Sequence, residues 1–195
     1  IITAIGRLVF GRRHAYPEIL ILEYGADKPG DIKKLTDIAK PQIGIITAVG
    51  EIPAHVEFYG GPQAVAKEKA KLIEVLPANG FAILNYDDDL VMAMKDRTRA
   101  HVITFGFKQL AEIKVQNFEY RVDGGKPAGI SFKVEYGGSF VPVRMEHSLS
   151  KPTAYAVGAA VGVGITFGMH LVRIIEALAY YQGPTHRMQL IPGIK

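Results

Sequence analysis

PQAVAKEKAKLIEVLPANGFAILNYDD, residues 62–88, holds both halves of an α/β unit in one run. Its first half sets Val65, Leu72, Ile73 and Leu76 along one stripe of a helix from Pro62 to Leu76. Pro77 lacks the N–H that a further turn would need, so Pro77 to Gly80 reads as a turn. Phe81 to Asn85 is then a short, continuous apolar run closed by Asn85-Tyr86-Asp87-Asp88, the pattern of a strand buried on both faces. A helix feeding such a strand implies a mostly parallel sheet between helical layers.

One residue violates the helical stripe. Lys69 stands four residues after Val65 and points inward, whereas Lys67 and Lys71 lie about two hundred degrees round the helix and face solvent. Burying an ammonium is costly unless it is paired, neutralised or modified, so an inward lysine marks a candidate site. The plain alternative is a lysine whose stem threads past its neighbours to water.

Outward from this unit the same alternation continues. After an N-terminal helical stretch, Ile19 to Glu23 reads as a buried parallel strand, and Gly25 opens a loop. Pro29-Gly30-Asp31 starts a helix reaching Ala39, which Pro41 prevents from continuing. Gly44 to Ala48 is the second strand, followed by a loop with Pro53-Ala54-His55 and then by the Lys69 helix. Beyond Asp88 come a short helix and a strand, His101 to Phe105. Such strands imply right-handed crossovers. From Glu112 to Met145 residues alternate between Asp123-Gly124-Gly125 and Tyr136-Gly137-Gly138-Ser139, a meander of about three strands. Pro152 to Tyr181 supplies one or two helices, and Gln182-Gly183-Pro184 reads as a linker. The expected fold class is therefore α/β: a mostly parallel sheet flanked by helices, with a small antiparallel β-meander.

Composition narrows the function. With 195 residues and 48% hydrophobic content the chain can bury a substantial core. Its net charge of +4 comes from dispersed cations, not a basic run, so nucleic acid is not the expected partner. There is no cysteine, which excludes disulfides and thiolate metal sites and fits a reducing compartment. Ile1 to Phe10 is apolar with Arg12-Arg13 after it, the reverse order of a secretion signal. Pro152 to Met169 is uncharged and near the lower limit for a membrane span, but it continues into His170, Arg173 and Glu176 and lacks a basic flank, so it reads as a buried helix whose Gly158, Gly162 and Gly164 allow close packing. No stable membrane insertion is expected. The chain has no G-x-x-x-x-G-K-[ST], no convincing G-x-G-x-x-G, no nucleophile elbow and no internal repeat.

In open parallel sheets ligands bind beyond the carboxyl ends of the strands, which makes Glu23, His55 and Asn85 to Asp88 the residues to examine. Glu23, His55 and a neutral or modified Lys69 would form an oxygen and nitrogen set for Mg²⁺, an ion that usually shares its shell with nucleotide phosphates. Each has a plainer reading: a loop histidine as a surface residue, and Asp87-Asp88 as a helix cap.

Taken in order, Leu22-Glu23-Tyr24-Gly25, Lys28-Pro29-Gly30-Asp31-Ile32, Pro53-Ala54-His55, Ala64-Val65-Ala66-Lys67-Glu68-Lys69 and Leu84-Asn85-Tyr86-Asp87-Asp88 resemble the central domain of the Mur ligases, most closely of the members that add D-alanyl-D-alanine. The step from His55 to Lys69 equals the family spacing. The resemblance implies that Glu23 and His55 each hold a Mg²⁺, and that Lys69 is carbamylated into a carboxylate-like ligand. It implies that Lys69 and His55 belong to the catalytic set, and that Asn85, Asp87 and Arg187 contact the nucleotide. The implied reaction is ATP-dependent: an acyl-phosphate forms on the carboxylate of UDP-MurNAc-tripeptide, and the amine of D-Ala-D-Ala attacks it, in the cytoplasm, for peptidoglycan synthesis.

On that resemblance, residues 1–183 are the ATP-binding central domain, cut after the family's P-loop, and 184–195 are a linker and the start of a C-terminal domain. The isolated chain is expected to be inactive alone, and an unpaired edge strand would favour dimerisation or swapping. Ala48 stands where many members carry Asn, and Thr153 and Ala156 replace the family's His-Asn and Asn near the adenine. Two other readings stay open: a different Mur-type or folylpolyglutamate synthase-like ligase, and a non-catalytic module that keeps the sheet without the chemistry.

Overall fold

The computed structural model describes residues 17–50, 58–146 and 148–181. Helix α1 (Asp31–Ile38) is followed by strand β1 (Ile43–Ile46), helix α2 (Pro62–Glu74), strand β2 (Phe81–Asn85), the one-turn helix α3 (Asp89–Met92) and strand β3 (His101–Gly106). Strands β4 (Ile113–Asp123), β5 (Lys126–Tyr136) and β6 (Ser139–Met145) follow, then helices α4 (Lys151–Thr166) and α5 (Leu171–Leu178). One six-stranded sheet results, in the order β1-β2-β3-β4-β5-β6. It is parallel from β1 to β4 and antiparallel from β4 to β6.

The parallel β3–β4 pair lacks a long crossover, and its register explains why. Phe105 pairs with Ile113 and Gly106 with Lys114, so β4 starts beside the end of β3 and runs on past it. No return to the start of the sheet is needed.

Side-chain alternation divides the interior into two cores. Ala82 and Leu84 of β2 face α2, meeting Val65, Ala70 and Ile73. Ile83 faces the other way, into a core with Phe105, Ile113 and Val161. Burying each such large side chain contributes roughly 1.5–3 kcal/mol. The glycines of α4 permit the closeness, since a Cβ at Gly158 would lie 3.2 Å from Phe105 and one at Gly162 would lie 2.9 Å from Ile83.

Three expectations are corrected. Ile19 to Glu23 is not a strand but an exposed irregular segment, with Ile21 86% accessible. An apolar run becomes a strand only where another backbone accepts its N–H and C=O groups, and β1, the sheet's edge strand, pairs only with β2 among the described residues. The apolar helix does not continue into His170, because Gly168 adopts φ 72° and separates α4 from α5. Lys71 is not free in solvent but half-buried, paired with Glu68 at 2.5 Å. The N-terminal helical stretch, the Gln182-Gly183-Pro184 linker and the segment to Lys195 lie outside the described residues. No described helix is long and apolar enough to cross a membrane.

Candidate functional site: a cleft at the strand ends

Parallel strands deliver their carboxyl ends to one side, and a cleft of about 680 Å³ opens there. Thr47 and Ala48 leave β1, Asn85 ends β2, Asp87 and Asp88 follow it, and Pro152, Tyr155 and Ala156 of α4 form the facing wall.

The floor is held by hydrogen bonds that cross the sheet. Asn85 donates from Nδ2 to the Thr47 carbonyl at 2.7 Å, and its Oδ1 accepts the Asp87 amide at 2.9 Å. Asp87 accepts the amides of Phe107 at 2.6 Å and Lys108 at 2.9 Å, as well as the Tyr155 hydroxyl at 2.8 Å. Burial and this bond to a carboxylate together raise the Tyr155 phenol above its ordinary value. A side chain at position 106 would strike Asp87, since its Cβ would fall 2.6 Å from Oδ1; Gly106 leaves that room.

Asp88 does two jobs at once. Its Oδ1 caps α3 through the Leu90 and Val91 amides, and its Oδ2 accepts the amides of Val49 and Gly50 from the loop after β1. Burial pushes its carboxyl up, but the four amides outweigh that and hold it below the usual carboxylate range. The plain reading of a helix cap holds for Asp88, whereas Asp87 instead ties β3 and α4 to the end of β2.

Lys69 is half-buried, with Nζ 3.0 Å from the Ala48 carbonyl at the cleft's rim. Desolvation lowers its pKa, against the opposing pull of Asp88. The lysine of the helical stripe therefore ends on a backbone carbonyl of the cleft's lining, in a solvent-exposed bond.

Sequence reasoning missed Glu68, which is only 4% exposed. Helix α1 opens at Gly30, φ 96°, with no side chain to cap it. Glu68 supplies the cap from 36 residues away, its Oε1 accepting the amides of Gly30 at 2.9 Å and Ile32 at 3.1 Å. The available signal was its place three residues after Val65 and four before Leu72 on the buried stripe.

Of the remaining expected site residues, Glu23 lies exposed in the irregular segment. His55 and Arg187 lie outside the described residues, and among those described no three acidic or histidine side chains converge to hold a metal. The structure thus brings Asn85 and Asp87 into one cleft, with Lys69 bonded to the carbonyl of Ala48 in its lining.

Such a sheet, with a cleft at its strand ends and a polar strand terminus as its floor, defines an α/β domain of the open parallel-sheet class, in which ligands bind beyond the strand ends. The Mur ligase middle domain model matches residues 7–146, and the chain belongs to that family. Mur ligase family members are ATP-dependent ligases. Over 86 residues the chain is 43% identical to UDP-N-acetylmuramoyl-tripeptide--D-alanyl-D-alanine ligase of Mycobacterium leprae, which covers 44% of this chain and 16% of that protein. It is 26% identical to UDP-N-acetylmuramate--L-alanine ligase of Aquifex aeolicus over 89% of this chain and 36% of that one. Among solved structures, MurF of Thermotoga maritima in complex with ADP superposes with a TM-score of 0.73 at 25% identity, covering 87% of this chain and 38% of that one. MurF of Acinetobacter baumannii gives 0.75 at 20% identity, covering 87% and 35%. The chain therefore spans well under half the length of these relatives.

Proposed function

We propose that this chain is the nucleotide- and metal-carrying part of a ligase that uses ATP to add D-Ala-D-Ala to UDP-MurNAc-tripeptide through an acyl-phosphate, in cytoplasmic peptidoglycan precursor synthesis. The observation that carries the reading is Lys69: an amine with lowered pKa, half-buried at the rim of the cleft floored by Asn85 and Asp87. A neutral amine attacks CO₂ and releases a proton, becoming an anionic carbamate, so desolvation favours this modification. As an ammonium Lys69 would repel a cation; as a carbamate it would join Glu23 and His55 in an oxygen-rich donor set of the kind Mg²⁺ takes. When bound, the metal would supply positive charge against the phosphates and the developing acyl-phosphate.

The chain's own residues position the ligand. Asn85 and Asp87 fix the loops after β1 and β3 around the floor, so the cleft is shaped before a nucleotide arrives. The 43% identity to a D-alanyl-D-alanine ligase supports the acceptor. The longer alignment with an L-alanine ligase supports a second reading, a Mur ligase with another acceptor. The test is ATP-dependent amide formation by the full-length protein offered UDP-MurNAc-tripeptide with D-Ala-D-Ala, or UDP-MurNAc with L-alanine. Turnover only with D-Ala-D-Ala is expected. Turnover only with L-alanine would replace the first reading by the second, and phosphate release with neither would end both.

A further inference from the structure

Among the described residues Glu68 is the one charged side chain in the interior, and it does not line the cleft. Neighbours on α2, Glu68 and Lys69 leave the helix about a hundred degrees apart. Lys69 ends on the Ala48 carbonyl, whereas the Oε1 of Glu68 takes the Gly30 and Ile32 amides in the first turn of α1. Its Oε2 takes the Lys71 ammonium, so both carboxylate oxygens are engaged.

A cap drawn from another helix does more than a local one. An N-cap side chain beside α1 itself would satisfy the same amides and leave α1 free to shift, but a carboxylate on α2 satisfies them only while α1 lies against α2. The chain just before α1 is tied as well. The Tyr59 hydroxyl, three residues ahead of α2, donates to the Ala26 carbonyl at 3.1 Å, and the Tyr24 hydroxyl donates to the carbonyl of Ala39 at the far end of α1. Glu23 stands at the head of this tied stretch, and Ile19 to Leu22 before it are exposed.

We infer that Glu68 is a positioning residue, which fixes the Glu23 carboxylate relative to the Lys69 amine. The inference rests on the metal-carrying reading above and adds to it a residue outside the donor set. Glu23 lies seven residues before Gly30. The ends of a flexible stretch of that length lie roughly 15 Å apart on average, with a wide spread. Mg²⁺ takes its oxygens at about 2.1 Å in near-ideal octahedral geometry, so a ligand on such a stretch has to be held by its supports. Glu68 anchors the stretch to the same helix that carries Lys69, one residue away.

The test is Mn²⁺ binding to the full-length protein, followed by electron paramagnetic resonance, with Mn²⁺ in place of Mg²⁺. Glu68→Ala should weaken binding by at least about tenfold, the scale on which supporting residues act on metal affinity. Glu68→Gln keeps an oxygen for the Gly30 and Ile32 amides and should stay within about threefold of the parent. A loss with Gln as large as with Ala would trace the effect to charge and not to the tie, which overturns the inference. Urea unfolding of the same variants separates positioning from stability: a Glu68→Ala protein that is destabilised yet binds Mn²⁺ as the parent does would make Glu68 a cap and nothing more. Should Glu68→Ala not fold, Glu68→Asp decides, since it keeps the charge and draws it back by one methylene. The same weakening of about tenfold is then expected, and an unchanged affinity overturns the inference. Glu23→Gln tells this failure from that of the reading beneath it. If the parent does not bind Mn²⁺, or binds it equally well with Glu23→Gln, the metal-carrying reading falls first and this inference with it.

Discussion

Strand β2 and the segment Ile19 to Glu23 have nearly the same chemistry, four apolar residues closed by a polar one, and opposite environments. In β2, Ala82, Ile83 and Leu84 are fully buried, with β1 and β3 on either edge and helices over both faces. Ile19, Leu20, Ile21 and Leu22 are between 49% and 86% exposed. Hydrophobicity is therefore a permit for a strand and not its cause. What makes β2 a strand is a neighbour on each edge, and what shapes the cleft at its end is that Asn85, Asp87 and Asp88 bond to the backbones those neighbours bring.

The contrast can be put to measurement, beginning with its largest effect. Ile83→Ala removes a fully buried side chain between β2 and α4 and should cost about 2–5 kcal/mol in urea unfolding. A cost near zero would mean that β2 is not the centre of the interior. Next is Asp88→Ala, which strands the amides of Val49 and Gly50 and uncaps α3, for about 2 kcal/mol.

The Asp88 effect carries a pH signature. Its folded carboxyl titrates below the ordinary value, so its contribution is complete above that value and is lost as pH falls through the depressed one. The stability gap between Asp88→Ala and the parent should therefore close in strong acid. A gap that widened instead would reverse the assigned direction.

A smaller loss, about 1 kcal/mol, is expected for Tyr155→Phe, which deletes the 2.8 Å bond to Asp87 and leaves the ring in place. The smallest is Ile21→Ala, within about 0.5 kcal/mol by the same unfolding measurement. A cost comparable to that of Ile83→Ala would show that the exposed segment is packed after all.

The alternation of apolar runs, prolines and glycines made most of the sheet legible, because buried parallel strands such as Phe81–Asn85 and tight turns such as Tyr136 to Ser139 have local causes. Ile19 to Glu23 misled because its fate depends on a partner strand, which no local pattern reports. Lys69 was legible as an interruption of a stripe. Glu68 was not, since in a Lys-Glu-Lys run it looks like a solvated charge, and the amides that make burial favourable come from Gly30 and Ile32. The internal bonding of Asp87 is of the same kind: its donors lie at Phe107, Lys108 and Tyr155, far along the chain. Residues that hold distant segments together are read from the fold, and residues that break a local rule are read from the sequence.

The most direct test of the account is a crystal structure of the full-length protein grown with Mg²⁺, bicarbonate and ADP, examined at Lys69. The account predicts density for a carbamate extending beyond Nζ, a metal held with Glu23 and His55, and ADP in the cleft floored by Asn85 and Asp87. An unmodified Lys69 still donating to the Ala48 carbonyl beside a bound nucleotide, or a nucleotide bound elsewhere, would contradict it.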